Sequence, residues 1–222
     1  MTFVTPTHAE LKTKHRDSRD GLDFNLDIRV HRALSWLKRA ELAVQSEDTD
    51  AAFIFYWIAF NAIYASGDPH RAGLSEKDTY SDFFRTIVQH DRERVIFDAI
   101  WNKFSDSIRV LINNRYVFQP FWDSVYREDD SWIAKFEDSK KQVTWALNRR
   151  DSIQILCILF GRLYVLRNQL IHGSATWNSS RNRSQVRDAM HVMEYFVPIL
   201  IDLMIRHPEI SWQPPIYPVL KD

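Results

Sequence analysis

Glycine and proline are so sparse in this chain that long helices are the main structure it can form. The 222 residues include 5 Gly and 8 Pro, the two residues that most disfavour a helix interior. Four long stretches contain neither of them: 22–66, 74–119, 121–160 and 174–197. The sequence therefore predicts an all-α protein.

Apolar residues in two of these stretches repeat at the three- and four-residue spacing of a helix face. This spacing predicts helices over about 24–45 and 182–206, with Pro198 expected to kink the second. Residues 51–65 and 151–172 are apolar almost throughout. That composition predicts two helices that are buried on nearly all sides.

Short polar residues and a glycine mark the ends of the two buried helices. Asp48 or Thr49 is expected to cap the start of the first, and Asp151 or Ser152 the start of the second. Gly173 follows the second helix, at the position where a left-handed residue commonly ends a helix.

The sequence predicts one domain with two appendages. Residues 1–22 are polar and are expected to form a mobile arm, whereas 23–206 form a single helical domain. Within it, 73–150 are expected to contribute two or three further helices that are separated near Pro120. The proline-rich residues 207–222 are expected to be extended.

Charge and cysteine content limit the classes of partner and compartment. Lys+Arg and Asp+Glu both number 29, so no global field attracts nucleic acid or membrane. The single Cys157 excludes a disulfide within the chain. No stretch approaches the length of a membrane span, and the N-terminus lacks the apolar core of a signal peptide. We expect a soluble cytoplasmic protein without membrane contact.

Several common active-site motifs are absent. The chain contains no P-loop or Gly-x-Gly-x-x-Gly motif, which removes the main support for nucleotide cradles of these types. Glu-x-x-His, His-Glu-x-x-His and Gly-x-Ser-x-Gly are also missing, so di-iron, zinc-protease and serine-hydrolase sites have no support. We expect neither a metal nor a cofactor.

Three polar residues lie where the second buried helix ends, in L-Y-V-L-R-N-Q-L-I-H-G. At 100° per residue, Arg167 and His172 lie about 140° apart, whereas Asn168 and His172 share a face. Asn168 is therefore expected to orient the imidazole. Arg167 converges with the other two only if the helix unwinds near Gly173, or if a second copy faces it across a two-fold axis. Two cationic side chains at a helix C-terminus suit a phosphate.

A second pair has the same spacing, in Arg85-Thr-Ile-Val-Gln-His90. It is followed by charged residues and lacks the Arg-Asn and His-Gly pairs. We expect no site there.

Arg167-Asn168-x-x-x-His172 and the aromatic helix F-I-F-Y-W-I-A-F-N-A-I-Y together resemble the HEPN superfamily, particularly its Apea-like group. The resemblance covers about 24–66 and 150–206 and leaves 74–150 as an inserted helical segment. It implies a HEPN-like helical bundle. Many members of this superfamily are metal-independent endoribonucleases, often toxins or antiviral effectors, which act as homodimers with two motifs in one cleft.

The resemblance implies cleavage of single-stranded RNA by attack of a ribose 2′-OH on its own phosphate. His172 would move the proton, Arg167 would stabilise the transition state and Asn168 would support them. An antitoxin partner is also implied. The residues expected to bind substrate are basic or aromatic side chains that follow the motif and one amide in the aromatic helix: Arg181, Arg183, Arg187, Trp177 and Asn61.

Two alternatives stay open at this point. A non-catalytic HEPN module would bind a nucleotide, RNA or a protein partner through the same cleft. A structural scaffold would instead neutralise Arg167 with a carboxylate of the same subunit.

Overall fold

A computed structural model describes residues 4–67, 75–103, 105–180 and 183–218, and within these ranges it is helical, without strands. This confirms the all-α prediction. The helices are α1 His8–Ser18, α2 Phe24–Gln45, α3 Thr49–Tyr64, α4 Glu76–His90, α5 Val95–Asp98, α6 Ser105–Ile112, α7 Gln119–Arg127, α8 Ser131–Arg149, α9 Ser152–Ile171 and α10 Arg183–Arg206. None of these helices is long and apolar enough to cross a membrane.

Helices α2 and α3 form a pair joined by a short turn, and they have the bounds that the sequence predicts. Asp48 caps α3, since its carboxylate accepts a hydrogen bond from the backbone N–H of Ala51 at 3.0 Å. The apolar stripe of α2, which includes Leu26, Val30 and Leu37, is fully buried. These two helices pack against α9 and α10 around one hydrophobic core.

Aromatic rings fill the centre of this core. Phe60 of α3 lies 4.5 Å from Phe160 of α9 and 5.8 Å from Phe84 of α4, measured between ring centroids. Trp57, one turn before Phe60, is 1% exposed. The burial of α3 and α9 on nearly all sides is therefore confirmed.

The segment that the sequence assigns to an insertion packs into the same core. Residues 75–149 form five helices rather than two or three. The break between α6 and α7 lies just before Pro120, as the sequence predicts, and Pro120 itself lies in the first turn of α7, where a missing backbone N–H costs nothing. Phe83 and Phe84 of α4 are buried among the residues of α3 and α9. This segment thus belongs to the main body of the domain.

The expectation of a mobile arm over 1–22 is wrong for residues 8–18, which form α1. Thr7 and Glu10 make a capping box at its start. Leu11 is 1% exposed, and the Nε2 of the buried His15 lies 2.8 Å from the carboxylate of Asp27. Lys14 pairs with Asp202 of α10. This polar helix is thus held to the domain by the burial of Leu11 and by contacts of Lys14 and His15 with α10 and α2.

The chain after α10 is extended and is fixed by a buried arginine. Arg29 is 2% exposed, and its guanidinium donates hydrogen bonds to carbonyl oxygens of Ile63, Ala65, Gln213 and Pro214 at 2.8–3.2 Å. Burial lowers the pKa of Arg29 from 12.5 to about 10. The cation therefore joins the C-terminal end of α3 to the tail, where the helix dipole favours positive charge.

Candidate functional site

The end of α9 positions the three predicted motif residues. The N–H of His172 donates to the carbonyl of Asn168 at 3.0 Å, and the N–H of Ser174 donates to that of Gln169 at 2.9 Å. Gly173 has the left-handed φ of 68°. These features form a Schellman motif, as the glycine predicts. Because the helix stays wound up to His172, it does not bring Arg167 and His172 together by unwinding.

Arg167 lies on the inner side of α9. Its guanidinium carbon is 5.4 Å from the ring centroid of Trp57 and 4.9 Å from that of Tyr164. It donates to Oδ1 of Asn168 at 2.9 Å and pairs with Oε1 of Glu76 at 3.3 Å. The side chain of Arg167 is 17% exposed. The carboxylate partner is the feature that the structural-scaffold alternative predicts.

Glu76 is itself held in place at the start of α4. Its Oε1 also accepts a hydrogen bond from the hydroxyl of Tyr64. Burial, reinforced by the neighbouring carboxylate, raises the pKa of Tyr64 far above its usual value, so the phenol stays a donor. Glu76 is a site residue that the sequence does not reveal, because it lies 91 positions from Arg167.

His172 lies on a different face from Arg167, as the angular argument predicts. Its side chain is exposed, and in the described part of the chain its imidazole has no hydrogen-bond or ion-pair partner. It lines a cavity of about 390 Å³ together with Asn168, Trp122 and Tyr126. None of the residues that line this cavity is an acid. The imidazole is thus open to a ligand.

Asn168 links the two faces. It lines the cavity with His172, yet its side-chain oxygen accepts a hydrogen bond from Arg167. The expectation that Asn168 orients the imidazole is therefore not met within the described residues. A guanidinium is a stronger donor than an imidazole N–H, and Arg167 takes the amide oxygen.

Two of the five residues expected to bind substrate contact carboxylates at the start of α3. Arg183 pairs with Asp50 at 2.7 Å, and the indole N–H of Trp177 lies 3.3 Å from Asp48. Both side chains therefore contact carboxylates, which would repel a phosphate at this position. The structure does not bring them to the cavity that contains His172.

The other three residues of this set differ in their surroundings. Arg187 is exposed on α10 and has no partner among the described residues. Asn61 lines a separate, larger cavity together with Glu76. Arg181 lies outside the described residues.

Helix α7 supplies cavity residues that the sequence analysis missed. Tyr126 is 84% exposed, and the indole N–H of Trp122 donates to the carbonyl of Tyr116 at 2.8 Å. That carbonyl also accepts a hydrogen bond from Gln169 of α9 at 2.7 Å, so α7 is fixed against the motif helix. The signal in the sequence was the aromatic run F-Q-P-F-W-D-S-V-Y over 118–126.

The second Arg-x-x-x-x-His pair has only local or peripheral partners. Arg85 pairs with Asp82 on the same helix at 2.6 Å, and Nδ1 of His90 lies 2.8 Å from the carbonyl of Thr86. Neither residue lines the cavities that contain Asn168, His172 or Glu76. These two residues serve as controls for the motif.

No group of three or more His, Cys, Asp or Glu side chains in the described ranges is arranged to hold a metal ion. Comparison with known protein families, curated proteins and solved structures found no match for this chain. The geometry around His172 and Arg167 is therefore the basis for a function.

Proposed function

We propose that the protein is a HEPN-like, metal-independent endoribonuclease that cleaves single-stranded RNA at the cavity between the end of α9 and α7. The observation that carries the proposal is the exposed imidazole of His172 in this cavity, which is also lined by Asn168, the hydrogen-bond acceptor of Arg167. An imidazole supplies the proton transfer that this reaction needs, and the exposed ring of Tyr126 in the same cavity supplies a surface for base stacking.

The reaction requires movement of one proton and one bond exchange at phosphorus. The 2′-oxygen attacks its neighbouring phosphorus while an imidazole takes the hydroxyl proton. The bond from phosphorus to the 5′-oxygen breaks, and the leaving oxygen receives a proton from an imidazolium. The products are a 2′,3′-cyclic phosphate and a 5′-OH. DNA is inert because it lacks the nucleophile.

A homodimer provides the second imidazole and the guanidinium for this reaction. Since α9 stays helical to its end, Arg167 and His172 of one chain face different directions. A two-fold axis near this helix end would place residues of both copies around one phosphate. Arg167 then exchanges the carboxylate of Glu76 for the phosphate, so its charge stays compensated throughout.

The aromatic residues of α7 bind an unpaired base next to the reacting phosphate. Tyr126 offers almost its whole ring to solvent, and Trp122 forms the wall beside it. Stacking of a base on one ring contributes about 1–3 kcal/mol and does not depend on sequence. This arrangement favours single strands over duplexes, whose bases are already stacked.

The test uses labelled single-stranded RNA in the presence of EDTA. We expect His172→Ala to lower the cleavage rate by about 10²-fold or more, because it removes the proton-transfer group. Arg167→Ala is expected to lose activity as well, while Tyr126→Ala raises KM. The matched controls, Arg85→Ala and His90→Ala, have the same motif spacing and should cleave at the wild-type rate. Equal rates for wild type and His172→Ala would refute the proposal.

A toxin or antiviral role, with an antitoxin partner, follows from the same resemblance. We expect expression of the wild-type chain to arrest bacterial growth and expression of His172→Ala to have no effect. A growth arrest that His172→Ala retains would contradict this role.

A structural helical scaffold is the second candidate, and the ion pair between Arg167 and Glu76 favours it. A guanidinium already paired with a carboxylate needs no phosphate for neutralisation. Glu76→Gln separates the two candidates. It frees Arg167 and is expected to raise the cleavage rate of a ribonuclease, whereas a structural scaffold stays inert and loses stability with the ion pair.

A further inference from the structure

A second and larger cavity, of about 840 Å³, lies between α2, α3, the start of α4 and the C-terminal tail. The helices contribute Trp36, Asn61 and Glu76 to its walls, and the tail contributes Ile216 and Tyr217. A volume of this size is typical of a small-molecule site. The cavity does not contain His172 or Asn168.

Hydrogen bonds and close packing hold the tail in place as one wall of the cavity before any ligand binds. Arg32 donates to the carbonyl oxygens of Ile216 and Tyr217 at 3.1 and 2.8 Å, beside the buried Arg29 that holds the preceding residues. Gly67 contacts the tail so closely that a Cβ at this position would lie 2.8 Å from the carbonyl oxygen of Pro215. A ligand would therefore enter a formed cavity rather than order a loose segment.

Two acceptor atoms in this cavity have no partner. The side-chain oxygen of Asn61 is buried without a hydrogen bond. Oε1 of Glu76 accepts from Tyr64 and Arg167, but Oε2 has no donor in the described part of the chain. A buried acceptor without a donor is costly, so a ligand N–H would be favoured at Asn61, and the 31% exposed carboxylate of Glu76 offers a second acceptor in the same cavity.

The charges of the lining residues limit the ligand further. Glu76 contributes the one carboxylate, and the guanidinium of Arg32 is turned toward the tail carbonyls. A phosphate or carboxylate on the ligand would meet the carboxylate of Glu76 without a free cation to compensate. A strongly cationic ligand would instead meet Arg167, which already pairs with Glu76. A neutral ligand is repelled neither by the carboxylate of Glu76 nor by the guanidinium of Arg167.

The shape of the cavity favours a planar ring. Trp36, which is 36% exposed, and Tyr217, which is 86% exposed, present aromatic surface to it. Aromatic side chains stack on flat heterocycles, and two N–H groups on one edge of such a ring can donate to two acceptors, Oε2 of Glu76 and the side-chain oxygen of Asn61.

We propose that this cavity binds a guanine base as an uncharged nucleoside, with its N–H edge on Glu76 and Asn61 and its face against Trp36. Guanine is the common base that carries two adjacent N–H donor groups. The base could come from free guanosine or from a guanosine in an RNA strand, and the same contacts serve both. The site shares Glu76 with the ion pair of Arg167 but does not include His172 or Trp122, so variants at Trp36 and at His172 test the two proposals separately.

The test is isothermal titration calorimetry of the full chain with guanosine, adenosine, guanosine 5′-monophosphate and a single-stranded tetranucleotide that contains one guanosine. We expect saturable binding of guanosine and at least tenfold weaker binding of adenosine. Guanosine 5′-monophosphate should bind no more tightly than guanosine. Glu76→Gln and Trp36→Leu should each weaken guanosine binding tenfold or more. Trp36→Leu is a second, independent variant because Trp36 does not contact the pair of Arg167 and Glu76.

Matched controls keep this proposal distinct from the proposed function. Tyr126→Ala and His172→Ala change the other cavity and should leave the Kd for guanosine unchanged, whether or not the protein cleaves RNA. Tighter binding of the tetranucleotide than of guanosine would assign the base to an RNA strand, and the reverse order would assign it to a free nucleoside. Absence of saturable guanosine binding, or unchanged binding in both Glu76→Gln and Trp36→Leu, would overturn the proposal.

Discussion

Replacement of Arg29 by methionine should detach the C-terminal tail from the helical domain. The Arg29 guanidinium satisfies four backbone carbonyls and has no carboxylate partner in the described ranges. Arg29→Met keeps most of the buried volume but removes every donor. Its effect therefore measures the hydrogen bonds rather than the packing.

The magnitude follows from the burial of each acceptor. The carbonyl of Ile63 is fully buried, so loss of its donor costs about 1–3 kcal/mol. The carbonyls of Ala65, Gln213 and Pro214 are partly buried and can recruit water, at about 0.5 kcal/mol each. We expect the free energy of unfolding to fall by about 2.5–4.5 kcal/mol.

Urea unfolding followed by circular dichroism measures this change. With an m-value of about 3 kcal/mol/M, the midpoint should fall by about 1 M. Arg32→Met is the matched control, because its acceptors on the tail are solvent-exposed, and it should change stability by less than about 0.5 kcal/mol. A loss below about 1 kcal/mol for Arg29→Met, or equal losses for both variants, would refute the reasoning.

Three further predictions concern α1, the tail and pH. Leu11→Ala should lower the free energy of unfolding by about 2–4 kcal/mol because Leu11 is 1% exposed. Leu42→Ala is the control, and it should cost far less because Leu42 is 40% exposed. Equal urea midpoints for the two variants would contradict the packing of α1. Gly67→Ala should destabilise by about 1–3 kcal/mol through its clash with the tail, while Gly21→Ala, with open space around its Cβ, should be neutral in the same assay. Burial lowers the pKa of His15 below 6.5, so the unfolded chain binds more protons and stability falls as pH drops through and below 6.5. Between pH 7.5 and pH 5.5, the free energy of unfolding measured in urea should fall less for His15→Gln than for wild type. Equal decreases in the two proteins would show that His15 is not the group responsible.

The long helices could be predicted because their residues carry the signal locally. The apolar runs of α3 and α9 and the caps at Asp48 and Asp151 fix both helices without reference to the rest of the chain. The number of short helices between α4 and α9 could not be predicted from the sequence. Arg94, Glu128 and Arg150 adopt left-handed φ values of 55–58° at helix ends, and no glycine marks these turns in the sequence.

Helix α1 was missed for a different reason. It buries only Leu11 and His15, so it has almost no apolar stripe. Its attachment depends on Asp27 and Asp202, which lie on other helices. Long-range ion pairs of this kind have no signature in a local sequence pattern.

Only those features of the candidate site that follow from the geometry of one helix could be predicted from the sequence. The angular separation of Arg167 and His172 follows from 100° per residue, and the structure confirms that they face different directions. The pairing of Arg167 with Glu76 and the closeness of Trp122 to His172 depend on how α4 and α7 pack. Neither contact follows from a motif.

The central claim is that RNA is cleaved by attack of its own 2′-OH at the cavity that contains His172. The most direct measurement compares one single-stranded RNA with the same sequence carrying 2′-O-methyl groups throughout, in EDTA, with mass spectrometry of the product ends. We predict cleavage of the unmodified strand to 2′,3′-cyclic phosphate and 5′-OH ends, no cleavage of the methylated strand, and loss of activity in His172→Ala but not in His90→Ala. Cleavage of the methylated strand, or an unmodified strand left intact by the wild-type protein, would contradict the claim.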